Sequence, residues 1–178
     1  MKRLSFACVT IALLSVACGS SSSSPTSSTP LATRPTLTAT LLPANEVPPV
    51  SGPEATGTGN VVITWDTTTD SNGNITSAKV NFSVNLFGFP STVTAIAAHI
   101  HQGPPTCACP FVVNTTLTTS DQVKSDTLGA ISFVKTGIAV ADPALAQQII
   151  NNPSGFYFNI HSTANPGGFA RGQLTRVQ

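Results

Sequence analysis

Residues 79–86 read Lys-Val-Asn-Phe-Ser-Val-Asn-Leu, and this stretch decides the fold. Val80, Phe82, Val84 and Leu86 are apolar, and the residues between them are polar. A period of two belongs to an extended chain whose successive side chains point to opposite faces, one buried and one wet. Upstream, NVVITWD at 60–66 is a second strand, and the segment between them carries Asn72-Gly73, a hairpin turn signal. The same reading predicts strands at 36–42, 93–101, 111–117, 129–136, 156–161 and 168–176. One helix interrupts the series at 141–153. Asp142 stands as N-cap and Pro143 in the first turn, Leu145, Ala146, Ile149 and Ile150 form an apolar stripe, and Pro153 and Gly155 end it. The expected fold is all-β: an antiparallel, Greek-key-like β-sandwich of about eight strands, with one short helix near 142–152 covering one end.

The 178 residues allow one domain plus tails, and only 8% are charged. The chain starts with a basic pair, Lys2 and Arg3, followed by a short apolar run ending in LSVACGS at 14–20. That run is short for a bilayer span and reads as a signal peptide over 1–17. Its end resembles a bacterial lipobox, with Cys18 as the residue to be lipidated and Leu14 one position further upstream than usual. Residues 18–35 are rich in Ser, Thr and Pro and read as a tether, which leaves 36–178 as the folded domain. The expected location is therefore outside the cytoplasm, at a bacterial cell envelope or cell surface, with a membrane partner engaged through the lipid on Cys18. Beyond residue 17 the chain holds six basic and seven acidic residues, a net charge of −1, with no basic run. Nucleic acid is not an expected partner.

The chain has three histidines. His99 and His101 lie two apart on the strand 93–101, and His161 ends the strand 156–161. Strict alternation puts Ile96, Ala98 and Ile100 on one face, and Ala95, Ala97, His99 and His101 on the other. In the later strand Phe156, Phe158 and Ile160 oppose Tyr157, Asn159 and His161. If the two strands are neighbours, the imidazoles gather outside the core. The preferred reading is structural: the rings hydrogen-bond neighbouring loops, notably the turn Gly103-Pro104-Pro105, whose prolines have no N–H to give. The alternative is a zinc or copper site with His99, His101 and His161 as ligands. A metalloenzyme using the same ligands and a bound water ranks below both. The folded part keeps two cysteines, Cys107 and Cys109, for which a local disulfide stiffening the loop is expected; they also stand near enough in sequence to assist a metal. Glu46, one of two glutamates in the chain, and Arg171, in an otherwise apolar closing strand, are expected to form an ion pair.

Three ordered segments resemble one family. LLPANEVPPV (41–50), AAHIHQGPP (97–105) and PSGFYFNIHSTANPGGFARGQL (153–174) are similar to the opening, centre and close of the CHRD domain, the module repeated in chordin. By position, the resemblance carries over Glu46, Pro48, Pro49, His99, His101, Gly103, Tyr157, Asn159, His161, Asn165, Arg171 and Gly172. Gln102 is inserted before Gly103, Ser162 stands where Thr is usual, and the Cys107–Cys109 loop is outside the pattern. The resemblance implies an extracellular β-sandwich module and carries over no enzymatic activity. The expected role is binding or structural, toward a protein or small ligand that the sequence does not specify.

Overall fold

The computed structural model describes residues 34–177. The expected signal segment, Cys18 and nearly all of the tether lie outside the described residues.

Among the described residues, nine strands form two antiparallel sheets that face each other across one core. The first sheet holds β1 (Thr36–Leu41), β2 (Thr58–Thr69), β3 (Ile75–Phe87), β6 (Ile131–Val140) and β9 (Thr175–Arg176), in the order β6-β3-β2-β1-β9. The second holds β4 (Ala95–Gln102), β5 (Phe111–Asn114), β7 (Phe156–Ser162) and β8 (Ala170–Gln173), in the order β5-β4-β7-β8. The β2–β3 hairpin turns where the sequence predicts. Gly73 takes φ of 84°, and Asp70 Oδ1 accepts the N–H groups of Asn72 and Asn74 at 2.9 and 2.8 Å. Val80, Phe82, Val84 and Leu86 are all buried. Opposite them, Phe156, Phe158 and Ile160 of β7 fill the same core, and Phe82 meets Phe158 with ring centroids 5.6 Å apart.

The helix α1 (Pro143–Asn151) starts as predicted, with Asp142 Oδ1 accepting the Ala144 N–H at 2.9 Å. Ala146, Ile149 and Ile150 enter the core, and Gln147 Oε1 accepts the Ile75 N–H, so the helix seals the sandwich at the start of β3.

Two expectations are corrected. The closing segment 168–176 is two strands in different sheets, not one. Leu174 is wholly buried at the crossing, its N–H donated to Phe156 O, and the chain passes there from the second sheet to the first. The alternation in β4 also breaks. Ala95 pairs with Ser162 and Ala97 with His161, so Ile96 is an extra residue in the strand. Beyond this bulge the faces exchange: Ala95, not Ile96, lies in the core with Ala98 and Ile100.

Candidate metal centre

β4 and β7 are neighbours, as the gathering of imidazoles requires. In register, His101 stands across from Tyr157, His99 across from Asn159, and Ala97 across from His161. On the far side of β7, Asn159 is opposite Arg171 of β8. The outward face of the second sheet thus carries His99, His101, Tyr157, Asn159, His161 and Arg171 as one patch. An outward face is normally wet, yet each of these six side chains is nine-tenths or more buried. The loop after β4, the segment after β1 and the turn before β8 cover it.

One imidazole nitrogen of each histidine lies within 4.8 Å of the others. His99 Nδ1 and His161 Nε2 are 3.1 Å apart. Three imidazoles around one tetrahedral zinc have their nitrogens ~3.3 Å apart, from metal–nitrogen bonds of about 2.0–2.1 Å. The pair is already at that spacing; a shared ion would need the His99 Nδ1 lone pair in place of its proton, and His101 drawn inward.

Two loop carbonyls set the tautomers. His101 Nδ1 is 2.7 Å from Cys109 O, and His161 Nδ1 is 2.9 Å from Pro166 O. A carbonyl only accepts, so both Nδ1 atoms carry the proton and both Nε2 atoms present a lone pair to the cluster. The His161 lone pair receives the His99 Nδ1–H; the His101 Nε2 is buried with no partner. Burial lowers the pKa of all three rings. His99 falls to about 4, helped by the neighbouring His161 and His101, while the carbonyls of Cys109 and Pro166 oppose the fall at His101 and His161. The rings are neutral at neutral pH, the form that binds metal. The preferred structural reading and the metal reading are thus not rivals: the loop hydrogen bonds orient the rings as outer partners of metal-binding histidines do.

Arg171 is 2% exposed and reaches three loop carbonyls at once. Its guanidinium donates to Asn45 O, Cys107 O and Pro105 O, and lies 4.4 Å from the centre of the Tyr157 ring. Tyr157 in turn stacks on His101, with centroids 4.7 Å apart, and its hydroxyl bonds the backbone of Cys109. The ion pair expected between Glu46 and Arg171 is not formed, because the three carbonyls occupy the guanidinium. Glu46 Oε2 instead accepts from Asn159 Nδ2 at 3.4 Å, and Oε1 has no partner. Burial pushes the Glu46 carboxyl up to about 7, against the field of Arg171 and the Asn159 hydrogen bond. Nor do the histidines hold the Gly103-Pro104-Pro105 turn. Gln173 Nε2 donates to Gly103 O, Arg171 to Pro105 O, and the Gly103 N–H goes to Gly155 O. Cys107 and Cys109 are joined in the expected disulfide, so neither is available as a thiolate ligand.

Among the remaining motif residues, Pro48 and Pro49 follow Glu46 along the rim, Pro48 after a cis peptide bond. Asn165 joins a second buried carboxylate that the sequence reading passed over. Glu54 Oε2 accepts from Asn165 Nδ2 at 2.6 Å and from Ser162 Oγ at 2.7 Å, which ties the turn before β8 to the segment after β1. The signal was available, since Glu54 is the other of the two glutamates. Phe111 was also passed over. It stacks on His99 at 4.4 Å while remaining 53% exposed, a partial lid at the sheet edge.

A family model described as the CHRD domain matches residues 37–174, which spans every residue of this site. No curated protein and no solved structure matches the chain.

Proposed function

The chain belongs to the CHRD domain family, and on that premise we propose that it is an exported module, tethered to the cell envelope through Cys18, whose three-histidine face binds one zinc or copper ion. One observation carries the metal reading: the buried, partnerless His101 Nε2, in a ring whose other nitrogen is committed to a carbonyl. A buried acceptor without a donor costs about 1–3 kcal/mol, and an ion shared with His99 and His161 removes that cost. Three neutral imidazoles suit either metal. His99 would turn its Nδ1 lone pair to the ion by moving its proton to Nε2, with no change in net charge.

Titration of the purified domain with zinc or copper tests this. Wild type is expected to take up one ion, and His99→Ala to lose it. Metal uptake that is absent, or unchanged in His99→Ala, would leave the histidines as loop fasteners alone, the role supported by their bonds to Cys109 and Pro166. For the tether, Cys18→Ser is expected to move the protein from the membrane fraction to the soluble fraction; identical fractionation would refute the lipid.

A further inference from the structure

Apart from Trp65 Nε1 in the core, the metal reading leaves two partnerless atoms unexplained. Glu46 Oε1 and Asn159 Oδ1 are buried without a hydrogen-bond partner, as His101 Nε2 is. Their residues are 6, 3 and 7% exposed in that order. With the Glu46 carboxyl ionised, above about pH 7, all three atoms are acceptors. The Asn159 amide already gives its nitrogen to Glu46 Oε2, which leaves the oxygen free, and His101 keeps its proton on Nδ1. Glu46 Oε1 and Asn159 Oδ1 also converge: both lie within 2.8 Å of the point that a Cβ on Gly168 would occupy.

These residues share a cavity of about 110 Å³, lined among others by Glu46, His101, Cys109, Tyr157, Asn159 and Arg171. A water takes about 30 Å³ of liquid volume, so the space suits a few small molecules. The register places Asn159 next to the cluster, opposite His99 and two residues from His161. An all-acceptor wall calls for an occupant with hydrogens to donate, and Arg171 at its edge opposes a second bare cation.

We propose that the ion's fourth ligand is an exchangeable water seated in this cavity, donating its hydrogens to Glu46 Oε1 and Asn159 Oδ1. The inference rests on the metal reading and deepens it. Three protein ligands with an open fourth position make a reactive centre, whereas four protein ligands make a closed structural one. The wall favours small protic ligands. Above about pH 7, where the Glu46 carboxyl is ionised, an anion such as azide must displace the water beside a group that only accepts.

Copper(II)-loaded protein decides the matter by pulsed electron paramagnetic resonance in D2O and by azide titration of the charge-transfer band. Wild type is expected to show coordinated D2O beside imidazole nitrogen couplings. Measured well above pH 7, where wild-type Glu46 is ionised, Glu46→Gln, nearly the same shape but able to donate, is expected to bind azide about three- to tenfold more tightly, the worth of one hydrogen bond gained. Bound copper without coordinated D2O, or equal azide affinity in the two proteins, overturns this subsite and leaves the three-histidine reading intact. Failure to bind copper at all overturns both. The D2O measurement needs only wild type, so it stands even if the variant folds poorly.

Discussion

At the scale of single residues, the site sets two kinds of titrating group against each other. The folded-state pKa of Glu46 is raised to about 7 from 4.5, so between those values the folded protein holds a proton that the unfolded chain has lost. Its contribution to stability therefore grows as pH falls through that window. The histidines act oppositely. Their folded pKa values lie below 6.5, so the unfolded chain takes protons first and stability falls as pH drops below that value, for His99 down to about 4. In metal-free protein, Glu46→Gln removes only the first effect. The variant is expected to gain on wild type as pH rises from 4.5 to 7, by roughly 3 kcal/mol at most. Urea unfolding of both proteins at pH 4.5, 6 and 7.5 measures this, and a pH-independent difference would contradict it. Arg171 makes a separate prediction. A lysine has one point charge in place of a planar fork, so it cannot reach Asn45 O, Pro105 O and Cys107 O together and still lie over Tyr157. Arg171→Lys is expected to cost about 2–3 kcal/mol through buried carbonyls left without donors. A loss below half of that in urea unfolding would mean the loops hold without it.

At the scale of elements, β8 closes the sandwich against β1. Leu42 and Arg171 exchange backbone hydrogen bonds at 3.1 and 3.3 Å, which joins the two sheets just past the end of β1. Gly172 sits at that seam, and a Cβ there would collide with Thr40 O, a backbone atom that cannot rotate away. Gly172→Ala is expected to cost about 2–3 kcal/mol as overpacking and to lower Tm by roughly 5–10 °C, readable in a thermal melt. An unchanged Tm would mean that the seam is free to open. Element by element, the sequence disclosed what periodicity can carry. The alternation in 79–86 and in 156–161 named the faces, but that the two histidine-bearing strands are neighbours was only a condition until the register showed it. Where one inserted residue decides, it was silent. The bulge at Ile96 carries no glycine or proline to mark it, so strict alternation put Ala95 on the wrong face. Arg171 was legible as a buried charge needing partners, but backbone carbonyls are present at every position and no pattern singles out those of residues 45, 105 and 107. Glu46 was legible as important and misassigned for the same reason.

At the scale of the whole molecule, the candidate site and the core are separate investments of the chain. The core lies between the sheets, with Trp65, Phe82, Ile100, Phe156 and Phe158 wholly or almost wholly buried in it. The three histidines lie outside, on two adjacent strands of one sheet, so an ion among them ties β4 to β7, which are already paired through the backbone. This differs from a small metal-dependent fold, in which the ion substitutes for a core. Chelation is therefore expected to leave the far-UV circular dichroism of the strands intact. Zinc at about a hundred times its Kd is expected to add about 2.7 kcal/mol by mass action alone. The corresponding rise in Tm is roughly 5–10 °C for a domain of this size, and it should vanish in His99→Ala. Hydrogen exchange should slow on loading in the loop around Cys109 and the turn around Pro166, whose carbonyls hold the His101 and His161 rings. The inner strands should exchange at the same rate with or without the ion. Loss of strand signal on chelation would show that the ion holds the sandwich together, and the separation of site from core would then be wrong.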